Sequence, residues 1–83
     1  MSIDECTALL QREADAYDLG LVVRYDIRCD GFVLVPPDAD PAAAGQILMF
    51  RHEFDDNLHK TRVLQWRLDA FASREAWFRL RVA

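Results

Sequence analysis

Leu21-Val22-Val23-Arg24-Tyr25-Asp26-Ile27-Arg28-Cys29-Asp30-Gly31-Phe32-Val33-Leu34-Val35 is the stretch that decides the fold. Leu21, Val23, Tyr25, Ile27 and Cys29 alternate with Val22, Arg24, Asp26, Arg28 and Asp30. That period of two is the pattern of a half-buried strand. Asp30-Gly31 is a favoured two-residue hairpin turn. A turn there pairs Cys29 with Phe32 and Ile27 with Leu34, so apolar side chains share one face. Pro36-Pro37 ends the second strand, because proline lacks the N–H a ladder needs. The stretch 21–36 therefore predicts a β-hairpin.

On its N-terminal side, Ser2 and Glu5 have the spacing of a capping box. Ile3, Cys6, Leu10, Ala14 and Tyr17 follow at intervals of three and four, one apolar stripe widened by Leu9. The spacing predicts a helix over 3–18, stopped at Gly20. Asp4, Asp15 and Asp18 fall on its wet side.

On its C-terminal side, Asp40-Pro41-Ala42-Ala43-Ala44-Gly45 reads as one helical turn with a cap, a proline at the first position and a glycine exit. A third strand is expected over 46–54, with Leu48, Phe50 and Phe54 on one face, and Asp55-Asp56-Asn57 as a turn. Leu64, Trp66 and Leu68 alternate with Val63, Gln65 and Arg67, which favours a fourth strand over 60–69. Leu64, Leu68, Phe71, Phe78 and Val82 fit a long helix instead. The strand is preferred because Ser73 is a good cap for a separate short helix, 74–82, with Trp77 and Leu80 turned inward. The expected fold class is α+β: one domain over 1–83, a four-stranded antiparallel sheet, and helices packed on one sheet face.

The charge is unevenly divided. Residues 1–57 carry twelve Asp or Glu and four Arg, a net of −8, whereas 58–83 carry six Arg or Lys and two acids, a net of +4. An acidic chain is a poor direct ligand for phosphate backbones, which need clustered Lys and Arg. Eighty-three residues leave little room for a deep cavity. No apolar run approaches the ~18 residues of a membrane span. A cytoplasmic protein is expected, without membrane contact. Cys6 and Cys29 do not make a disulfide framework and are read as free thiols. Nine Arg against one Lys is the bias of a GC-rich genome, which points to a bacterial or phage source.

No catalytic set stands out, and no cofactor is expected. His52-Glu53-Phe54-Asp55-Asp56 begins like a zinc-protease helix but has Asp56 where the second histidine belongs. His52, His59 and the neighbouring carboxylates could gather a divalent ion, yet a solvated turn is the ordinary reading, so no metal site is assigned. Cys29 with His52 as nucleophile and base lacks an oxyanion hole. Trp66 and Trp77 could be interface anchors, since Trp is enriched at hot spots, but both are in phase with apolar neighbours and are assigned to the core.

Two surfaces remain. Val22, Val33, Val35 and Met49, with Ile47 and Val63, fall on the second sheet face with Arg24, Asp26, Arg28 and Asp30. An aliphatic content that high fits a partner or homodimer face; the alternative is that the 37–45 loop covers it. Asp15, Asp18, Asp26, Asp30, Asp38 and Asp40 are the candidates for an acidic partner-binding surface, since Coulomb complementarity steers association.

In size, acidity and lack of motifs the chain resembles phage-encoded inhibitors of bacterial defence such as anti-CRISPR proteins, and is similar in these respects to small acidic immunity proteins. The resemblance implies a non-enzymatic interaction protein that blocks a nucleic-acid-binding or target-docking site of a larger complex. The alternative reading is a homodimeric accessory or structural domain. A small metal-binding enzyme ranks below both.

Overall fold

A computed structural model describes residues 1–82, and the side chains of residues 1–74. Helix α1 runs Ile3–Asp15 and β1 Val22–Asp26. Then come β2, Gly31–Val35, and β3, Gln46–Phe50. A short helix α2, Arg51–Asp55, a 3₁₀ turn, Leu58–Lys60, and a long helix α3, Arg62–Val82, complete the order. The three strands form an antiparallel meander, β1-β2-β3. The fold is α+β, with three strands where the sequence predicts four.

The start of α1 follows the expected chemistry. The Ser2 hydroxyl accepts from the Glu5 N–H and the Glu5 carboxylate accepts from the Ser2 N–H. Cys6, Leu10 and Ala14 are its buried stripe. The helix ends at Asp15, short of the expected 18, and the chain leaves through two left-handed residues, Asp18 and Gly20.

The hairpin turns earlier than the Asp30-Gly31 rule requires. Val23 pairs with Leu34, Tyr25 with Phe32 and Asp26 with Gly31, leaving a four-residue loop from 27 to 30. Asp26 causes this: its carboxylate accepts from the Arg28 N–H and from the Arg28 guanidinium, closing a local turn. Ile27, expected opposite Leu34, stands at the loop tip with 82% of its surface exposed. The register moves by an even number of residues, so the face assignment survives although the pairing does not.

The third strand departs further. Phe32 pairs with Met49 but Val33 with Ile47, so Leu48 is an extra residue, a bulge. The bulge reverses the alternation. Leu48 and Met49 both enter the core, and Phe50 lies opposite Gly31 rather than on the core face. The strand ends at Phe50, not 54. Glu53 starts α2 by accepting from the Phe50 N–H at 2.9 Å.

The expected strand 60–69 and helix 74–82 are one helix. Thr61 caps it, its hydroxyl accepting from the Val63 N–H. Leu64 and Leu68 are buried and Phe71 is partly buried, the spacing of one helical face. No Gly or Pro follows Gly45 to interrupt it. Ser73, read as a cap, lies within the helix. The orientations assigned to Trp77 and Leu80 fall outside the described side chains.

One apolar cluster joins Cys6, Leu10 and Ala14 of α1, Val23, Phe32, Leu34, Leu48 and Met49 of the sheet, Phe54 of α2, and Leu64 and Leu68 of α3. Val33 and Val35 are buried outside it, beneath the segment 36–45. That segment comes so close that a Cβ on Gly45 would stand 2.6 Å from Val35 Cγ1 and 2.8 Å from the Leu34 carbonyl oxygen. Arginines of the hairpin hold it by its backbone. Arg24 donates to the carbonyls of Asp40 and Ala43, and Arg28 to those of Ala42 and Ala43. Asp40 accepts from the Ala42 N–H at 2.8 Å, so the expected helical turn is a capped β-turn.

Beside β1, the Gln11 amide of α1 accepts from the Val23 N–H at 2.8 Å and donates to the Leu21 carbonyl at 3.2 Å.

Candidate functional site

The six aspartates expected on one acidic surface are divided. Asp26 and Asp30 lie at the closed end of the hairpin. Asp15 ends α1 and Asp18 precedes β1, while Asp38 follows β2, so in sequence all three adjoin the open end of the hairpin. Asp26 is tied to Arg28 at 2.7 Å, and those bonds hold its carboxyl down at about 2. Asp30 accepts from the Tyr25 hydroxyl, which raises the phenol above its ordinary value, and stands 3.8 Å from Arg51. Asp40 caps its own turn. These three hold hairpin and loop together. Asp15, Asp18 and Asp38 are exposed, and no ion pair reaches them among the described residues.

The proposed aliphatic face is not a free surface. Val33 and Val35 are buried by the 36–45 segment, and Met49 is in the core on the opposite side because of the bulge. Of Val22, Val33, Val35 and Met49, Val22 alone is exposed. The loop-covered alternative describes this face.

The histidines separate as well. His52 stacks on Phe50, and His59 stacks on Phe54 with ring centroids 4.2 Å apart. Among the described residues no three His, Cys, Asp or Glu side chains gather as a metal site. Cys6 and Cys29 are both free; burial pushes the Cys6 thiol up, which keeps it protonated.

An exposed apolar surface is formed by α3 and β3, where Ile47 belongs to the expected partner face and Trp66 does not. Trp66, assigned to the core, is 63% exposed, and Ile47 is 42% exposed. Ile47 faces Ala70 and Phe71 across a shallow cleft of about 180 Å³. Trp66 lies one helical turn before Ala70, on the same side of α3. The signal was present: in a helix, Trp66 falls off the Leu64, Leu68, Phe71 stripe.

This surface is built on a rigid base. Glu53, 93% buried, accepts two bonds from the Arg67 guanidinium, at 2.8 and 2.7 Å. Arg67 also donates to the Leu48 carbonyl at 3.0 Å. The pairing holds the Glu53 carboxyl below, and the Arg67 guanidinium above, their ordinary values. The bulge, the start of α2 and the middle of α3 are thereby locked to one another. Farther along, Arg74 bonds the Gln46 side chain.

Among the described residues no helix is long and apolar enough to cross a membrane. No protein-family model, curated protein or solved structure matches the chain.

Proposed function

We propose that this chain is a non-enzymatic protein-binding domain that acts by covering a docking surface of a larger partner. The observation that carries the reading is the exposed apolar pair Trp66 and Ile47 on an element fixed by the Glu53–Arg67 pair. Exposed tryptophan on a rigid helix has the character of a binding hot spot: a large contact area and little entropy lost on docking. Arg24, Asp26, Arg28, Glu53 and Arg67 are engaged in holding the fold, which supports binding over catalysis.

The finer version is an inhibitor that occludes a nucleic-acid-binding or target-docking site of a bacterial defence complex. It is supported by three exposed acids without an ion pair among the described residues, Asp15, Asp18 and Asp38. They are placed to meet cations on the partner's rim and to speed encounter.

The test is quantitative affinity capture from a bacterial lysate with the native chain, with Trp66→Ala plus Ile47→Ser, and with Asp15, Asp18 and Asp38 all changed to Lys. The expected outcome is a partner lost by the first variant at any salt. With the second variant, capture should weaken and lose its salt dependence. A partner retained equally by all three proteins would refute the reading.

A further inference from the structure

A second cleft, of about 290 Å³, lies where the first turn of α1 meets α2 and the 3₁₀ turn. Its floor reaches the core: Ile3, Cys6, Phe32 and Phe54 line it. Its charged lining is Arg51, Asp55 and Lys60, a net of +1 in a chain whose net charge is −4. Arg51 is exposed and held only loosely by Asp30, at 3.8 Å.

One wall is His59. Both of its ring nitrogens are buried without a hydrogen-bond partner, the only side-chain atoms among the described residues in that position. A neutral imidazole has one donor and one acceptor, and native proteins rarely leave either unmet. Burial, with Lys60 next in sequence, keeps the ring neutral by pushing its pKa below 6.5. A half-turn about Cβ–Cγ preserves the stack on Phe54 while exchanging nitrogen and carbon at each ring edge. The unpartnered imidazole and the core-reaching cleft occur at the same place, so a ligand in the cleft would meet the turned ring.

We propose that this cleft binds a small aromatic or branched-chain carboxylate, its apolar part on Phe32 and Phe54, its carboxylate between Arg51 and Lys60, with a hydrogen bond from the turned imidazole of His59. A cleft of about 290 Å³ lies at the small end of ligand pockets, which suits a ligand of this size. The two cations select an anion over the neutral isostere. This site is independent of the Trp66 and Ile47 surface.

The experiment is an NMR titration of the full chain with sodium benzoate, with benzyl alcohol as the neutral probe. Benzoate should give saturable shifts at Cys6, Phe54 and the His59 ring, with a Kd on the order of 1 mM for so small a ligand. Benzyl alcohol should bind at least about tenfold more weakly, and Arg51→Gln with Lys60→Gln should lose about tenfold for benzoate. His59→Phe keeps the stack and the folded spectrum but should weaken benzoate several-fold. Trp66→Ala with Ile47→Ser should leave benzoate binding unchanged, so this site and the protein-binding surface fail separately. Absence of saturation, shifts confined to other residues, or equal binding of the two probes would overturn the proposal. Unaltered affinity in His59→Phe would remove the imidazole from it.

Discussion

The two faces of the sheet are closed by different means. On one, Val23, Phe32, Leu34 and Met49 join side chains of α1, α2 and α3 in a single apolar cluster. On the other, Val33 and Val35 are sealed by ten residues without a regular element, held through their backbone carbonyls by Arg24 and Arg28 and brought close by Gly45. The first closure rests on apolar area, which many side chains share. The second rests on a few polar bonds and one missing Cβ. A face closed in the first way should lose stability in proportion to the volume removed. One closed in the second way should be most sensitive where the approach is tightest.

The largest effect is expected on the helix-associated face. Leu68→Ala, at a fully buried site, should lower unfolding stability by about 3 kcal/mol, measured by urea titration. Val35→Ala should cost about half as much, because fewer methyl groups are removed. Equal losses would break the contrast between the faces.

Gly45→Ala should cost about 2 kcal/mol, because the new methyl meets backbone as well as side chain. A loss within about 0.5 kcal/mol would show that the segment moves aside freely and does not seal its face.

Glu53→Gln should also cost about 2 kcal/mol at pH 7, since it leaves the Arg67 charge half-buried without its partner. The sign of the pH dependence follows from the lowered Glu53 pKa. The unfolded chain takes up the proton more readily, so the contribution is full above about 4.5 and fades as pH falls below it. The gap between variant and native chain should therefore narrow as pH falls below about 4.5. A gap that persists undiminished there would point to packing rather than charge.

The smallest effect has the opposite sign. His59→Phe removes the orphaned nitrogens and should raise stability by about 1 kcal/mol at pH 7.5. With its native pKa pushed down, His59 makes the folded chain lose stability as pH falls from about 6.5 toward that lower value. The variant should lack that decline, and an unchanged profile would deny His59 its buried, neutral state.

The same contrast explains what the letters revealed. The capping box and stripe of α1 are local patterns, and so are the alternating residues of the hairpin; both were legible. The hairpin's faces were read correctly despite a wrong register, because the error was even. The Asp26 turn competed with Asp30-Gly31 and won through bonds to Arg28 that no periodicity displays. Leu64 and Leu68 satisfy a period of two as well as a spacing of four, so α3 was ambiguous. Thr61, whose hydroxyl caps the helix, marks its start, and Ser73 falls inside it. The bulge at Leu48 leaves no mark in the sequence, and it alone turns Met49 from the second sheet face into the core. The exposure of Asp15, Asp18 and Asp38 was legible; that of Trp66 follows from its place on α3 rather than on a strand.

Gln11 has a consequence that concerns many copies of the chain rather than one. An outer strand normally offers its bare peptide groups to any neighbour, and such edges seed fibrils. On β1 a side-chain amide occupies the Val23 N–H and the Leu21 carbonyl as a further peptide would. On β3 the Arg67 guanidinium takes the Leu48 carbonyl. The meander is thus plugged at both margins by single side chains, a protection against stacking that adds no residue to the sheet.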